Sequence, residues 1–233
     1  MSESHRHPLV ISPHFDDAVL SCGELLAARP GARVCTVFAA PPTENMTTDW
    51  DRRAGFADAF EAIKARTEED TRALAILQAT PLRLPFCDAQ YLASPSHDAL
   101  VSALRQTLTE SEADMLMAPL GLFHADHMLT ARACLALLID TPGLAFYVYE
   151  DIPYRCIEGA VQARVAELSS LGYTATPAEE LQAPADRRAE REHMELKREA
   201  IGAYRSQLRA FDPNARASLF AQERYWQVRR KNA

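Results

Sequence analysis

The chain has 233 residues, 48% hydrophobic and 24% charged, a balance ordinary for one globular domain with a sizeable core. A net charge of -7 argues against a general nucleic-acid binder, which carries a basic face. Five scattered cysteines with no C-x-x-C pair exclude a disulfide scaffold and a thiolate zinc finger, and no apolar run reaches the length of a signal core or a membrane span, so a cytoplasmic protein without a membrane partner is expected.

In chain order, short apolar runs alternate with helical patterns. Strands are expected at Leu9 to Ser12, Arg33 to Ala40, Leu82 to Phe86, Met115 to Pro119 and Leu144 to Tyr149. Each is short and mostly apolar, as strands covered on both faces tend to be. Helices are expected over 17–28, 51–78, 95–111, 126–140, 157–170 and 186–209, with a weaker one near 215–228. Residues 41–50 read as a polar loop and 173–186, rich in Ala, Thr and Pro, as a connector. His5 and His7 are expected in an unordered terminus. The alternation predicts a three-layer α/β/α domain over 1–233 with a mostly parallel sheet, and ligands in such folds sit beyond the carboxyl ends of the strands.

Two such ends carry clustered chemistry. After the first strand comes His14-Phe15-Asp16-Asp17. Adjacent carboxylates repel unless a cation or donors offset them, and histidine with carboxylate is a common zinc or iron ligand set. The plainer alternative is one aspartate capping the following helix and the other solvated. After the fourth strand comes His124-Ala125-Asp126-His127, at the start of a second helix. Ligand types from two strand ends facing one crevice favour a metal site. A third stretch, "YVYEDIPYR", would bring Glu150, Asp151, Tyr154 and Arg155 to the same rim, where they could bind a sugar or simply cap and pack. Met46, Trp50 and Arg53 are similar candidates for a lid or pocket wall.

"SPHFDD" with "CG" following, then "HADH", resembles the PIG-L or LmbE-like family of zinc-dependent N-deacetylases. "RTEEDTRALAIL" and "ELKREAIGAYRSQLRAF" extend the likeness over about 8–210. The resemblance implies a Rossmann-like fold and a hydrolase that removes an N-acyl group, usually acetyl, from an amino sugar or a sugar-containing conjugate. It implies His14, Asp17 and His127 as ligands of zinc (or iron), Asp16 as general base, His124 as the residue facing the oxyanion, and Asp126 as the carboxylate partner of His124. Arg53, Glu150, Asp151 and Tyr154 remain as substrate-binding candidates. The chain departs from the family pattern at Phe15, Ala18 and Leu122, the last standing where some members carry an oxyanion-assisting tyrosine, a role open to Tyr154 or a backbone donor.

The chemistry suits these residue types. Amide hydrolysis needs a polarised carbonyl, an activated water, a proton for the leaving amine and a donor for the oxyanion. Two other readings compete. A catalytically degenerate member would bind sugar or metal without turnover. A receiver-like signalling module would use the acidic pair with Asp88, but the expected lysine after the fifth strand is missing and HADH would have no task.

Overall fold

The computed structural model describes residues 8–141, 143–152, 154–181 and 186–231. His5, His7 and residues 182–185 of the expected connector lie outside the described residues. The strands are β1 (Pro8–Ser12), β2 (Arg33–Thr36), β3 (Thr80–Arg83), β4 (Met115–Pro119), β5 (Ala145–Tyr149), β6 (Tyr173–Pro177) and β7 (Tyr225–Arg230). The helices are α1 (Asp17–Ala27), α2 (Asp49–Ala54), α3 (Ala59–Ile76), α4 (His97–Ser111), α5 (Ala125–Asp140), α6 (Ala160–Ser170), α7 (Arg187–Ala203), α8 (Arg205–Ala210) and α9 (Pro213–Ser218).

All seven strands join one sheet in the order β3-β2-β1-β4-β5-β7-β6. The first five are mutually parallel, and β7 pairs antiparallel with both β5 and β6. Side chains alternate as the pleat requires. Val10, Val34, Met115 and Met117 join the layer of α1, α3 and α7, while Leu9, Ile11, Leu116 and Ala118 join that of α4, α5 and α6. The expected mostly parallel α/β fold is the observed one. From β1 the chain moves outward to β2 and β3, then returns to place β4 on the other side of β1. The carboxyl ends of β1 and β4 therefore flank the switch point, where open sheets of this kind form their crevice.

Several expectations fail locally: the helix over 186–209 is α7 and α8, parted at Tyr204, and the strands expected over 33–40 and 82–86 end at Thr36 and Arg83. The helix over 51–78 is two helices, because Gly55 ends α2 in the left-handed conformation (φ 88°) and Asp58 caps α3 through the Glu61 amide. The connector at 173–186 contains β6, and the region near 215–228 holds α9 and β7 rather than one helix. In β7, Tyr225 and Val228 turn inward, which a helical reading of "RYWQVRR" obscures.

A buried ion pair secures the break in α1. Its backbone leaves helical geometry at Cys22 (φ -137°, ψ 18°), freeing the amides of Glu24 and Leu25. Both donate to the Glu223 carboxylate, at 2.9 and 3.2 Å. Lys197 of α7, 2% exposed, donates to the same carboxylate at 2.7 Å. Its stem lies against Gly23, where a Cβ would come within 2.6 Å of the lysine Cγ. Glu223→Ala would leave the buried ammonium with only the Glu24 carboxylate at 3.9 Å and strand two amides, and should lower stability by about 3 to 5 kcal/mol. Urea unfolding of the variant checks this, and a loss below about 1 kcal/mol would show the pair to be peripheral.

Candidate active site

The turn after β1 is fixed by short-range bonds. Ser12 Oγ donates to the His14 carbonyl at 2.5 Å and accepts from the Ala18 amide at 2.9 Å. The His14 amide donates to Asp17 Oδ2 at 2.8 Å. Tyr204 Oη donates to the Phe15 carbonyl at 3.0 Å, tying the turn to the end of α7. Asp17 thus turns back toward His14, whereas Asp16 stands at the helix N-cap without a capping bond and lines the cleft.

The turn after β4 depends on Gly121, whose φ is +86° and whose Cβ, were it present, would lie 2.6 Å from that of Ala131. It brings His124 to the N-cap of α5, where Nδ1 accepts the Asp126 amide at 3.2 Å. His127 lies one turn in, fully buried.

The histidines converge on one carboxylate oxygen. Asp17 Oδ2 is 3.2 Å from His14 Nδ1 and 3.1 Å from His127 Nε2. The far nitrogen of each ring meets a second buried carboxylate: His14 Nε2 meets Asp126 Oδ2 at 3.0 Å, and His127 Nδ1 meets Asp151 Oδ1 at 2.6 Å. Asp151 Oδ2 also accepts from the amides of Gly121 and Leu122, and Asp126 Oδ2 from Ala89. With its proton on the Asp151 side, His127 presents a lone pair at Nε2. That atom is buried and misses hydrogen-bond geometry with Asp17. A lone pair and a carboxylate oxygen at that distance repel unless positive charge lies between them.

The titration of the groups shows the same demand. Burial opposes charge on His127, but Asp17 and Asp151 outweigh it and raise its pKa to about 9. For His14, burial is likewise overcome, by Asp88, Asp126 and Asp17, and the pKa rises. Burial works to raise Asp17, yet His127 and His14 hold it far below the carboxylate range. Asp16 goes the other way: burial, then the charge of Asp17, push it up to about 7. His124 is lowered by burial and by the neighbouring histidines.

Two overlapping groups have metal-ligand spacing, His14-Asp17-His127 and His14-His124-Asp126. In the first, the ring nitrogens face Asp17 Oδ2 itself, whose outside donor is the His14 amide, and His127 Nε2 has no hydrogen-bond partner. In the second, Asp126 Oδ2 already accepts two hydrogen bonds and His124 Nδ1 one. The first set fits a divalent ion, with Asp126 and Asp151 orienting its two histidines, the arrangement usual around metal-bound imidazole.

The remaining candidates separate. Asp126 faces His14 rather than its expected partner His124. Tyr154 stacks on His124 (centroids 6.0 Å, 23° between planes), while Leu122 is buried in the core. Asp151 lies beneath His127 with no exposed surface instead of on the rim. Glu150 accepts from Trp226 Nε1 and borders a different cavity, and Arg53 is exposed on α2 away from the cleft. Arg66, Asp88, Gln90 and Gln207 line the cleft but had no assigned binding role in the sequence reading. Arg66 is 6% exposed, its Nε lacks a partner, and its contact to Asp51 is 3.5 Å. A sequence signal for it existed: the buried stripe of α3 includes Arg66, Glu69 and Asp70 among alanines and leucine, and charges on an apolar face call for a reason.

A family model described as GlcNAc-PI de-N-acetylase (PIG-L) matches residues 9–138, more than half of the chain. A 2'-N-acetylparomamine deacetylase of Streptomyces fradiae is 32% identical over 166 residues, spanning 63% of this chain but only 57% of that enzyme. The solved A40926 pseudoaglycone deacetylase Dbv21 superposes with a TM-score of 0.72 at 25% identity, covering 98% of this chain and 99% of that one. The zinc-inhibited form of teicoplanin deacetylase Orf2 gives 0.75 at 21% identity over 97% and 98% of the two chains, a likeness of fold alone. HADH, unused in a receiver-like module, lies within the matched span and has its place here: the chain belongs to the PIG-L family.

Proposed function

We propose that this chain is a zinc-dependent hydrolase that removes an N-acyl group, in the simplest case acetyl, from an amino sugar within a sugar-containing small molecule or natural-product intermediate. Residues 1–233 are read as one catalytic domain, and five free cysteines suit a reducing, cytoplasmic setting. Among the described residues no helix is long and apolar enough to cross a membrane. The observation that carries the reading is the meeting of His14 Nδ1, Asp17 Oδ2 and the unpartnered His127 Nε2 beside a carboxyl, Asp16, that makes no helix-capping bond and lines the cleft. The deacetylation of N-acetylparomamine and of the A40926 pseudoaglycone by similar proteins supports an amino-sugar amide as the bond attacked.

His14, Asp17 and His127 would hold the ion, which supplies a Lewis acid to polarise the amide carbonyl and acidify the attacking water. Asp16 takes the proton of that water on its carboxylate and returns it to the departing amine nitrogen. Its burial beside the ion site, which favours the protonated form, suits a group that carries a proton from water to amine. His124 has Nδ1 occupied by the Asp126 amide, so its proton resides on Nε2, where it donates to the developing oxyanion as a neutral imidazole. Tyr154 holds that ring by stacking. Arg66, Asp88 and Gln90 offer donors and acceptors for sugar hydroxyls.

The direct test is a screen of N-acetylglucosamine conjugates and N-acetylated aminoglycoside intermediates, read by mass loss of the acyl group and release of free amine. Metal-replete protein that releases amine from none of them defeats the reading. The protein should hold about one divalent ion per chain, and chelation should remove ion and activity together. Activity that persists in metal-free protein removes the ion from the chemistry.

The neighbouring aspartates should fail differently. Asp16→Asn should keep the ion and lose roughly 10² to 10⁴ in kcat. Asp17→Asn should lose ion affinity first. Bound metal and kcat measured side by side decide, and the opposite pattern would exchange the two roles. Asp151→Asn should weaken ion binding by about 10- to 100-fold through misorientation of His127. A chelator competition that finds unchanged affinity would reduce Asp151 to a structural acceptor for the Gly121 and Leu122 amides.

A further inference from the structure

The cleft continues beyond the polar groups assigned above. Its free volume is about 240 Å³ and its mouth is open, so a sugar bound there can carry a further group outward. Its far wall is apolar, formed by Trp50 of α2, Phe211 after α8 and Ile63 of α3. The wall is held in place by a chain of buried bonds. Glu69 of α3 accepts the Ser206 amide and hydroxyl at 2.9 and 2.6 Å, fixing the start of α8. The next residue, Gln207, is 6% exposed and accepts from Trp50 Nε1 at 3.0 Å. Phe211 meets the indole edge-to-face, with centroids 5.5 Å apart and 78° between planes. Arg209 Nη1 donates to the Ala54 carbonyl at 3.0 Å, pinning α2 to α8.

This arrangement limits what the wall can recognise. The one polar atom of Trp50 is engaged by Gln207, and Phe211 has none. Apart from the Gln207 amide beside the indole, the wall offers π faces and carbon surface, and the bonds above hold it in place before anything binds. Sugar hydroxyls find few partners there, whereas Arg66, Asp88 and Gln90 bring polar groups to the same cleft. On the histidine side the rim is also aromatic: Phe123, 70% exposed, lies on Tyr154 with centroids 5.6 Å apart.

We propose, resting on the deacylase reading above, that the Trp50–Phe211 wall selects substrates whose amino sugar carries an apolar, ring-bearing aglycone, and that the wall packs on that aglycone rather than on the sugar or the acyl chain.

The experiment compares three probes on the metal-replete protein: N-acetylglucosamine, its p-nitrophenyl β-glycoside, and N-octanoylglucosamine. The wild type should favour the aryl glycoside over the free sugar in kcat/KM. In Trp50→Ala that ratio should fall about tenfold, as loss of a packed aromatic partner warrants. Trp50→Phe, which keeps a ring but loses the Gln207 bond, should retain most of it, and Phe211→Leu should lower it severalfold; thermal unfolding checks that each variant is folded. A ratio unmoved in both Trp50→Ala and Phe211→Leu overturns the proposal. So does a preference that follows the octanoyl chain instead of the aglycone. Calorimetric binding of the aryl glycoside supplies an arm independent of turnover, and Trp50→Ala should weaken it by about tenfold. Trp50-dependent binding without amine release would sink the reaction while sustaining the wall; amine release from all three probes without discrimination would sink the wall alone.

Discussion

Two imidazoles share one buried carboxylate oxygen, and the architecture of the site follows from that constraint. Asp17 Oδ2 cannot sit about 3 Å from two nitrogen lone pairs without positive charge among them. A proton on each ring meets the demand, and so does a divalent ion. Either solution needs the rings held rigidly, which explains the outer carboxylates: Asp126 behind His14 and Asp151 behind His127. Those carboxylates would themselves be isolated buried charges were it not for the backbone amides of Ala89, Gly121 and Leu122. Three loops, after β3, β4 and β5, are thereby committed to one cluster.

The same constraint accounts for two adjacent acids at the end of a strand. Consecutive residues project in different directions, so Asp17 turns into the histidine cluster while Asp16 turns into the cleft. Their environments drive their pKa values apart, one far below the ordinary range and the other up to about 7. Such separation is what the proposed division into ligand and base requires.

Much of this was legible in the sequence because its signals are local. The central strands are continuous apolar runs, and the ligand types occur in tight clusters just after two of them, so both position and chemistry could be read. What escaped depends on contacts distant along the chain. β6 and β7 are edge-side, half-exposed strands whose pairing with each other and with β5 has no local signature, and "YWQVRR" suits helix or strand equally until that pairing exists. Asp151 resembles a rim residue in sequence and becomes the partner of His127 only because β5 lies beside β4. Asp126 adjoins His127 and nearly adjoins His124, yet its side chain crosses to His14 on another loop. Arg66 was visible as a charge on a buried stripe, but only the fold shows that the stripe ends at the cleft.

The antiparallel insertion of β7 has a consequence for the order in which the protein assembles. Tyr149 of β5 is covered on its outer side by Tyr225, and β6 reaches the sheet only through β7. During synthesis β1 to β5 can pair as each emerges, but the outer edge of β5 stays bare until β7 has been made. In that interval the sheet presents an apolar parallel edge of the kind that recruits other chains. Glu223, which satisfies the broken turn of α1, arrives with the same late segment. The loop bearing Asp151 follows β5 directly and donates the Ile152 amide to Ser21 beside that break. A chain that has made β5 but not yet β7 therefore carries an unbraced Asp151 loop and a bare sheet edge at the same time.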